Sequence, residues 1–205
     1  MSPRLDDPDL RQFVGSVKLS QDGGAGRVVS DFYAMAAAIS SEGFDAGLRK
    51  LVHGLDTSRP AAEVAAAVAQ HLTRETSGLK ADILRKAVQE TMLDAAGLGF
   101  GPEGLNMKMG LENFLRKRGI VGLLELFLSS YLFNTVWIRI QEAVRAKSGS
   151  QSLSKSMLGI QRHFTAAVRS VVADWQREGK LEGLAAQERL AGTLIKTIET
   201  QLLNS

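Results

Sequence analysis

Hydrophobic and polar positions repeat with a helical period along most of the chain, and one stretch is far more apolar than the rest. It runs from Ile120 to Ile140 and reads IVGLLELFLSSYLFNTVWIRI. Its polar positions form one seam through Glu125 and Ser129, and from Ser130 onward a second seam on another side, through Asn134. A helix with this pattern is enclosed on most sides by neighbours. We therefore predict a central core helix at about 120–147, in which Glu125 and Asn134 require hydrogen-bond partners if they are buried.

Two other interpretations of this stretch stay open. It is barely long enough to cross a bilayer, and Glu125 and Asn134 would then lie inside the hydrocarbon, which is energetically costly. It could also form an exposed apolar surface that becomes buried in an oligomer or against a partner. A membrane is therefore the least favoured of these surroundings.

The remaining sequence reads as amphipathic helices joined by short turns. Asp7-Pro8 and Thr57 to Pro60 are typical helix starts, Ser41 is a candidate cap, and Gln21 to Gly26 is typical of a break. After Ser77-Gly78, a helical stripe that includes Leu79, Ile83 and Val88 is expected to face inward. A last helix is expected to begin near Leu181.

A helix from about 105 is predicted to end at Arg116-Lys117-Arg118-Gly119. Cations favour the negative end of a helix, and glycine favours the turn that follows it. Together these elements predict an all-α fold, a helical bundle of about eight or nine helices packed around the central apolar helix.

The glycine-rich connection at 97–104 is the main candidate for a domain boundary. Residues 1–100 hold 11 Lys and Arg against 13 Asp and Glu, whereas residues 101–205 hold 14 against 9. A connection of this length is also ordinary within one helical domain. We predict a single domain over 1–205, with two packed lobes as the alternative, a slightly acidic one at 1–96 and a basic one at 105–205.

The composition is that of a soluble globular protein, with 44% hydrophobic and 23% charged residues. The chain has no cysteine, which excludes disulfides, thiolate zinc sites and cysteine nucleophiles. The first ten residues lack the basic and apolar segments of a secretory signal, so we expect a cytoplasmic protein. The abundance of alanine, glycine and arginine is typical of a GC-rich bacterial source.

The sequence motifs that resemble catalytic or cofactor sites lack the context that their chemistry requires. Gly99 to Gly104 match G-x-G-x-x-G, but the preceding segment is helical and Pro102 removes a backbone donor. His71 and Glu75 have a spacing suited to a metal, yet no H-E-x-x-H pattern is present. A Gly-x-Ser-x-Gly elbow is also missing. We therefore predict no catalytic residue, no cofactor and no metal.

Basic side chains form two candidate sites for an anion or an acidic partner. One is a face of the helix predicted at 152–178, opposite its apolar stripe, which no acid interrupts by helical geometry. The other is the helix end before the central helix. The candidate residues are Lys155, Arg162, Arg169 and Arg177 on the first site and Arg116, Lys117 and Arg118 on the second. Cations without interleaved aromatic rings suit phosphate contacts rather than base stacking.

These features favour a non-catalytic helical assembly or adaptor subunit that acts through protein–protein contacts, with itself or with a partner. The alternative is an accessory subunit that contacts nucleic-acid phosphates through the basic face at 155–177. A third interpretation is a membrane-active helical protein that uses residues 120–140.

Overall fold

The computed structural model describes residues 23–97, 107–147 and 153–204. Seven α-helices and one 3-10 helix, with no strand, make up this part of the chain. In chain order they are α1 (Gly23–Glu42), α2 (Phe44–Leu51), α3 (Ala61–Leu72), α4 (Gly78–Ala95), α5 (Met107–Lys147), α6 (Leu153–Arg177), the 3-10 helix (Lys180–Ala186) and α7 (Glu188–Asn204). The predicted all-α fold is confirmed. The predicted helix start at Asp7-Pro8, most of the glycine-rich connection and the turn at 148–152 lie outside the described residues.

Helix α5 lies at the centre of the bundle, as its apolar pattern predicts. It packs against α1, α4 and α6, and its Leu123, Phe127 and Leu132 are fully buried. One cluster of buried apolar side chains draws residues from every α-helix, α1 to α7. The acidic and basic halves of the chain therefore share a core, while their division into lobes stays a prediction.

Helix α5 is interrupted at Gly119, where φ is 67° and ψ is −178°. This positive φ favours glycine because a side chain at such a position is strained. The helix end predicted after Arg116-Lys117-Arg118 is thereby confirmed. The kink separates an arm that ends at Arg118 from the central arm that begins at Ile120.

The break predicted at Gln21 to Gly26 is wrong for its glycines, because α1 begins at Gly23. At Gly26, α1 crosses α7, and an added Cβ would lie 2.9 Å from the Glu188 carbonyl oxygen and 3.1 Å from the Gly192 nitrogen. Glycine here lets two helix backbones approach closely. The requirement comes from packing, so the local interpretation of glycine as a helix breaker fails.

Ser41 does not cap the third predicted helix. It lies inside α1, where its hydroxyl donates to the Ala37 carbonyl at 3.0 Å. Helix α2 begins instead at Phe44, whose backbone N–H donates to the Glu112 carboxylate at 3.0 Å. The acceptor for this helix start comes from α5, and sequence next to the helix does not reveal it.

The predicted last helix is divided at Gln187, whose backbone is extended (φ −136°, ψ 95°). Leu181 and Leu184 consequently lie on the 3-10 helix, where both are buried. The Ser30 hydroxyl of α1 donates to the Leu184 carbonyl at 2.7 Å, which fixes this short helix against the bundle.

The inward stripe predicted for α4 is confirmed at Ile83 and Val88, which are buried, and wrong at Leu79, which is 54% exposed. Residues 77–80 are all exposed, so the first turn of α4 projects beyond its neighbours. The helical period extends the apolar stripe to Leu79, but no neighbouring helix of the described protein covers that turn.

Candidate binding cleft

A cleft of about 530 Å³ lies between α4, α5 and α6. Both polar seams of the apolar stretch line it, the first through Glu125 and Ser129 and the second through Ser130 and Asn134. The two seams lie at different angles around the helix, yet both face the same cleft. A volume of this size lies within the range of ordinary ligand sites.

Asn134 is buried and has hydrogen-bond partners, as the sequence requires. The residue is only 3% exposed, and its amide donates to the Glu90 carboxylate at 2.8 Å and to the Ser130 hydroxyl at 3.1 Å. Ser130 donates to the same Glu90 oxygen at 2.7 Å. Hydrogen bonds to a charged acceptor are stronger than neutral ones. This network joins α4 to α5 and fixes the Glu90 carboxylate at the cleft wall.

Glu125 lies between two arginines from different elements. Its carboxylate oxygen Oε2 is 3.6 Å from Arg118 at the end of the first arm of α5 and 3.7 Å from Arg169 on α6. Its side chain is 18% exposed. Burial raises the pKa of Glu125 above its ordinary value, and the charges of Arg169 and Arg118 offset only part of that effect. The cluster therefore ties the two arms and α6 together around a carboxylate that is held charged at a cost.

This pKa has a stability consequence. A carboxyl with a higher pKa in the folded state binds its proton more tightly there, so its contribution to the free energy of unfolding falls as the pH rises through that pKa. We expect Glu125→Gln to be at least as stable as the wild type at pH 7. The difference should disappear below pH 4.5, the ordinary pKa of glutamate. Urea unfolding across pH measures it, with exposed Glu63→Gln as the control for the chemical substitution itself. A clear loss of stability at pH 7 would show that the ion pairs outweigh burial.

Asp94 lines the same cleft one helical turn after Glu90. Asp94 is exposed at the edge of the cleft, but partial desolvation of its carboxyl, together with the negative charge of Glu90, raises the pKa of Asp94. Within the described residues Asp94 has no ion pair, whereas Glu90 lies 3.6 Å from the Lys86 ammonium. The α4 wall therefore carries two neighbouring carboxylates, and a cation lies beside only one of them.

The opposite end of the cleft is apolar. The Phe133 and Trp137 rings stack with centroids 6.1 Å apart and planes 7° from parallel, and both side chains are half-buried. Leu126 adds an apolar side chain nearer the other end of the α5 wall. Between them, the hydroxyl oxygen of Ser129 is buried and has no hydrogen-bond partner among the described residues. The cleft thus combines apolar surface with several polar groups, which is the usual composition of a binding site.

The structure brings together one residue from each predicted basic group, because Arg118 and Arg169 meet at Glu125. Arg177 forms an ion pair with Asp174, three residues before it on α6. The prediction that no acid interrupts the basic face is therefore wrong. Glu125 reaches it from the neighbouring helix, and an arginine is long enough to meet Asp174 across the helix surface.

The other predicted basic residues are placed at the surface. Arg116, Lys117 and Arg162 are exposed, and none of them lines the cleft. The side chain of Lys155 lies outside the described residues. The basic residues that contribute to the cleft are consequently Arg118 and Arg169, together with Lys86.

Sequence reasoning missed the α4 side of the site. Glu90 and Asp94 are spaced i, i+4 beside the inward stripe of their helix, which places both carboxylates on one face. This repulsive spacing is a signal that could have marked them. Nothing in the local sequence shows, however, that this face meets Ser130 and Asn134, since that contact joins residues 40 and 44 positions apart.

The apolar stretch retains the composition of a possible membrane span. Among the described helices, Met107–Ile138 is long and apolar enough to cross a bilayer. Its most apolar 18-residue segment has a mean hydropathy of 1.4, and 50% of that segment is buried inside the protein. Core helices of soluble proteins share these properties. In addition, the described residues contain no group of three or more His, Cys, Asp or Glu side chains that could hold a metal ion.

Comparisons with protein-family models, curated proteins and solved structures find no significant match to this chain. Its function is therefore inferred from its own geometry. The fold defines an all-α helical bundle with a mixed polar and apolar cleft between three of its helices.

Proposed function

We propose that this chain is a non-catalytic, cytoplasmic adaptor subunit that binds a partner protein in the cleft between α4, α5 and α6. The observation that carries the proposal is the cleft itself. Its walls are three helices, which are joined at the cleft by the hydrogen bonds of Ser130 and Asn134 to Glu90 and by the ion pair of Glu125 with Arg169. Such a preorganised site loses little conformational freedom when a partner binds.

The residues that line the cleft are of the types that dominate protein interfaces. Tryptophan and arginine are enriched among residues that carry most of the binding energy. Here Trp137 is half-buried at one end, and Arg118 and Arg169 lie at the other. Between Trp137 and the two arginines, the Thr165 hydroxyl and the Gln161 amide on α6 supply groups for polar contacts.

The described charges give less support to the nucleic-acid alternative. Of the six described candidate cations, Arg118 and Arg169 lie beside Glu125, and Arg177 lies beside Asp174. A phosphate would compete with these carboxylates for the same guanidinium groups. The membrane alternative also has less support. The half-buried apolar side chains of α5 face the cleft between helices, namely Leu126, Phe133 and Trp137.

The test fills the cleft without changing its charge. We expect Thr165→Trp to abolish capture of a specific partner from native cells, because the indole occupies the space between α6 and α5. Ser170→Trp is the matched control, since Ser170 lies on the exposed side of the same helix. Quantitative mass spectrometry of material purified with wild-type and variant chains compares them, and circular dichroism confirms the fold.

A partner that is lost only with Thr165→Trp, and that binds the purified wild-type chain directly, supports the proposal. Sedimentation of the same three proteins shows whether that partner is a second copy of this chain. If both tryptophan variants retain every specific partner and the same sedimentation behaviour, binding through the cleft is refuted.

A further inference from the structure

We propose that the cleft accepts an extended segment of about five residues from the partner and places a lysine or arginine side chain of that segment beside Asp94. This inference rests on the proposed function and names the chemistry of the occupant. It is carried by the length of the cleft, the charges on its α4 wall and the polar and apolar groups along its other walls.

The length of the cleft suits an extended chain. Its lining on the central arm of α5 runs from Glu125 to Trp137, which at 1.5 Å per residue is about 18 Å along the helix axis. A chain in extended conformation advances about 3.3 Å per residue, so about five residues cover that distance.

The charges favour a cation as the central contact. Asp94 faces the cleft with the Glu90 carboxylate one turn away and without an ion pair among the described residues. Two neighbouring carboxylates repel each other, and a cation between them removes that repulsion. Lys86, the cation beside Glu90, lies on α4 two helical turns before Asp94.

An acidic segment fits less well. The guanidinium groups of Arg118 and Arg169 already share the Glu125 carboxylate, which is only 18% exposed. A carboxylate from a partner would compete with Glu125 for these two cations. A lysine or arginine meets Asp94 without displacing any group.

The other walls supply what the rest of an extended segment needs. Gln161 and Thr165 on α6 offer hydrogen-bonding groups to its backbone. The stacked Phe133 and Trp137 rings accept an apolar side chain. A residue about three positions from the cation would reach these rings, because Asp94 and the aromatic pair lie toward opposite ends of the cleft.

The probes are acetylated and amidated six-residue peptides of alanine that carry one lysine and one phenylalanine three positions apart, in both orders. In matched peptides norleucine replaces lysine, which removes the charge and keeps the length. Calorimetry measures affinity, and fluorescence reports occupancy, because the protein has two tryptophans and Trp175 is buried in the core. Trp137→Phe should abolish the fluorescence change.

We expect at least one lysine peptide to bind, and its norleucine counterpart to bind at least about fivefold more weakly. Asp94→Asn should reduce lysine-peptide affinity about three- to tenfold. Asp82→Asn, on the exposed side of α4, should leave it unchanged. Equal binding of lysine and norleucine peptides overturns the inference, and so does the absence of binding at about 10 mM peptide.

These results are separate from the test of the proposed function. If Thr165→Trp removes the natural partner while Asp94→Asn does not, the cleft binds a partner but not through a cation. If Thr165→Trp leaves partner capture unchanged, the proposed function fails whatever the peptides do.

Discussion

Replacing Phe127 by alanine should lower the free energy of unfolding by about 3–5 kcal/mol, the usual cost of removing a buried aromatic side chain. Phe127 is fully buried at the centre of α5, and its ring stacks on Phe32 of α1 with centroids 4.5 Å apart. It also lies 6.4 Å, centroid to centroid, from the Tyr131 ring. The cavity would open where α1 and α5 meet, and both helices are fixed by several other neighbours that limit their collapse into it.

Urea unfolding monitored by circular dichroism measures this loss. Met109→Ala is the matched control, because Met109 lies on the same helix but is 58% exposed, and a change within about 0.5 kcal/mol is expected there. A loss below about 1.5 kcal/mol for Phe127→Ala would show that Phe127 is not at the centre of the core, and the position of α5 would then be wrong.

The second large effect concerns one substitution, glycine to alanine, at two helical positions. At Gly110 an added Cβ would lie 2.1 Å from the carbonyl oxygen of Ala96 and 2.7 Å from its Cα. These are backbone atoms, so the helix itself must shift, and we expect a net loss of about 2–3 kcal/mol. At Gly159 an added Cβ meets no atom of the described residues within 4 Å. There the better helix propensity of alanine should stabilise the protein by about 0.5–1 kcal/mol.

Thermal and urea unfolding of both variants give the comparison directly. Opposite signs support the close approach of α5 to the end of α4. If Gly110→Ala is also stabilising, the two helices do not touch at Ala96. The α4–α5 contact that positions Glu90 and Asp94 would then need revision as well.

These two predictions bear on function because the same packing builds the cleft. Helix α4 must lie close to α5 for Glu90 to accept hydrogen bonds from Ser130 and Asn134. The kink at Gly119 places Arg118 where it meets Glu125. The core and the candidate site are therefore not independent, and charge variants such as Glu125→Gln and Asp94→Asn are better probes of binding than core variants.

Much of the architecture could be predicted from sequence. The apolar run at 120–140 predicted the central helix, and the cations followed by Gly119 predicted its break. Asn134 in an apolar helix predicted a buried partner, because an unpaired buried amide is costly. These features depend on residues close together in the chain, where period, charge and backbone freedom act directly.

The predictions that failed concern contacts between distant residues. Gly23, Gly24 and Gly26 look like a break until α7 is placed against Gly26. Ser41 looks like a cap until Glu112 of α5 supplies the acceptor for Phe44. The basic face of α6 looks free of acids until Glu125 is placed beside Arg169. Each requires a neighbour that local sequence does not specify.

The sequence by itself determined the all-α class, the central position of the apolar helix and the polar groups that it carries, since hydrophobic period and burial cost fix these locally. Only the tertiary structure decided that Glu90 and Asp94 of α4 face those groups across a shared cleft. Helix packing sets which faces meet, and many pairings bury similar apolar area. The choice among them depends on shape and on polar pairs such as Glu90 with Asn134, which exist only once the helices are together.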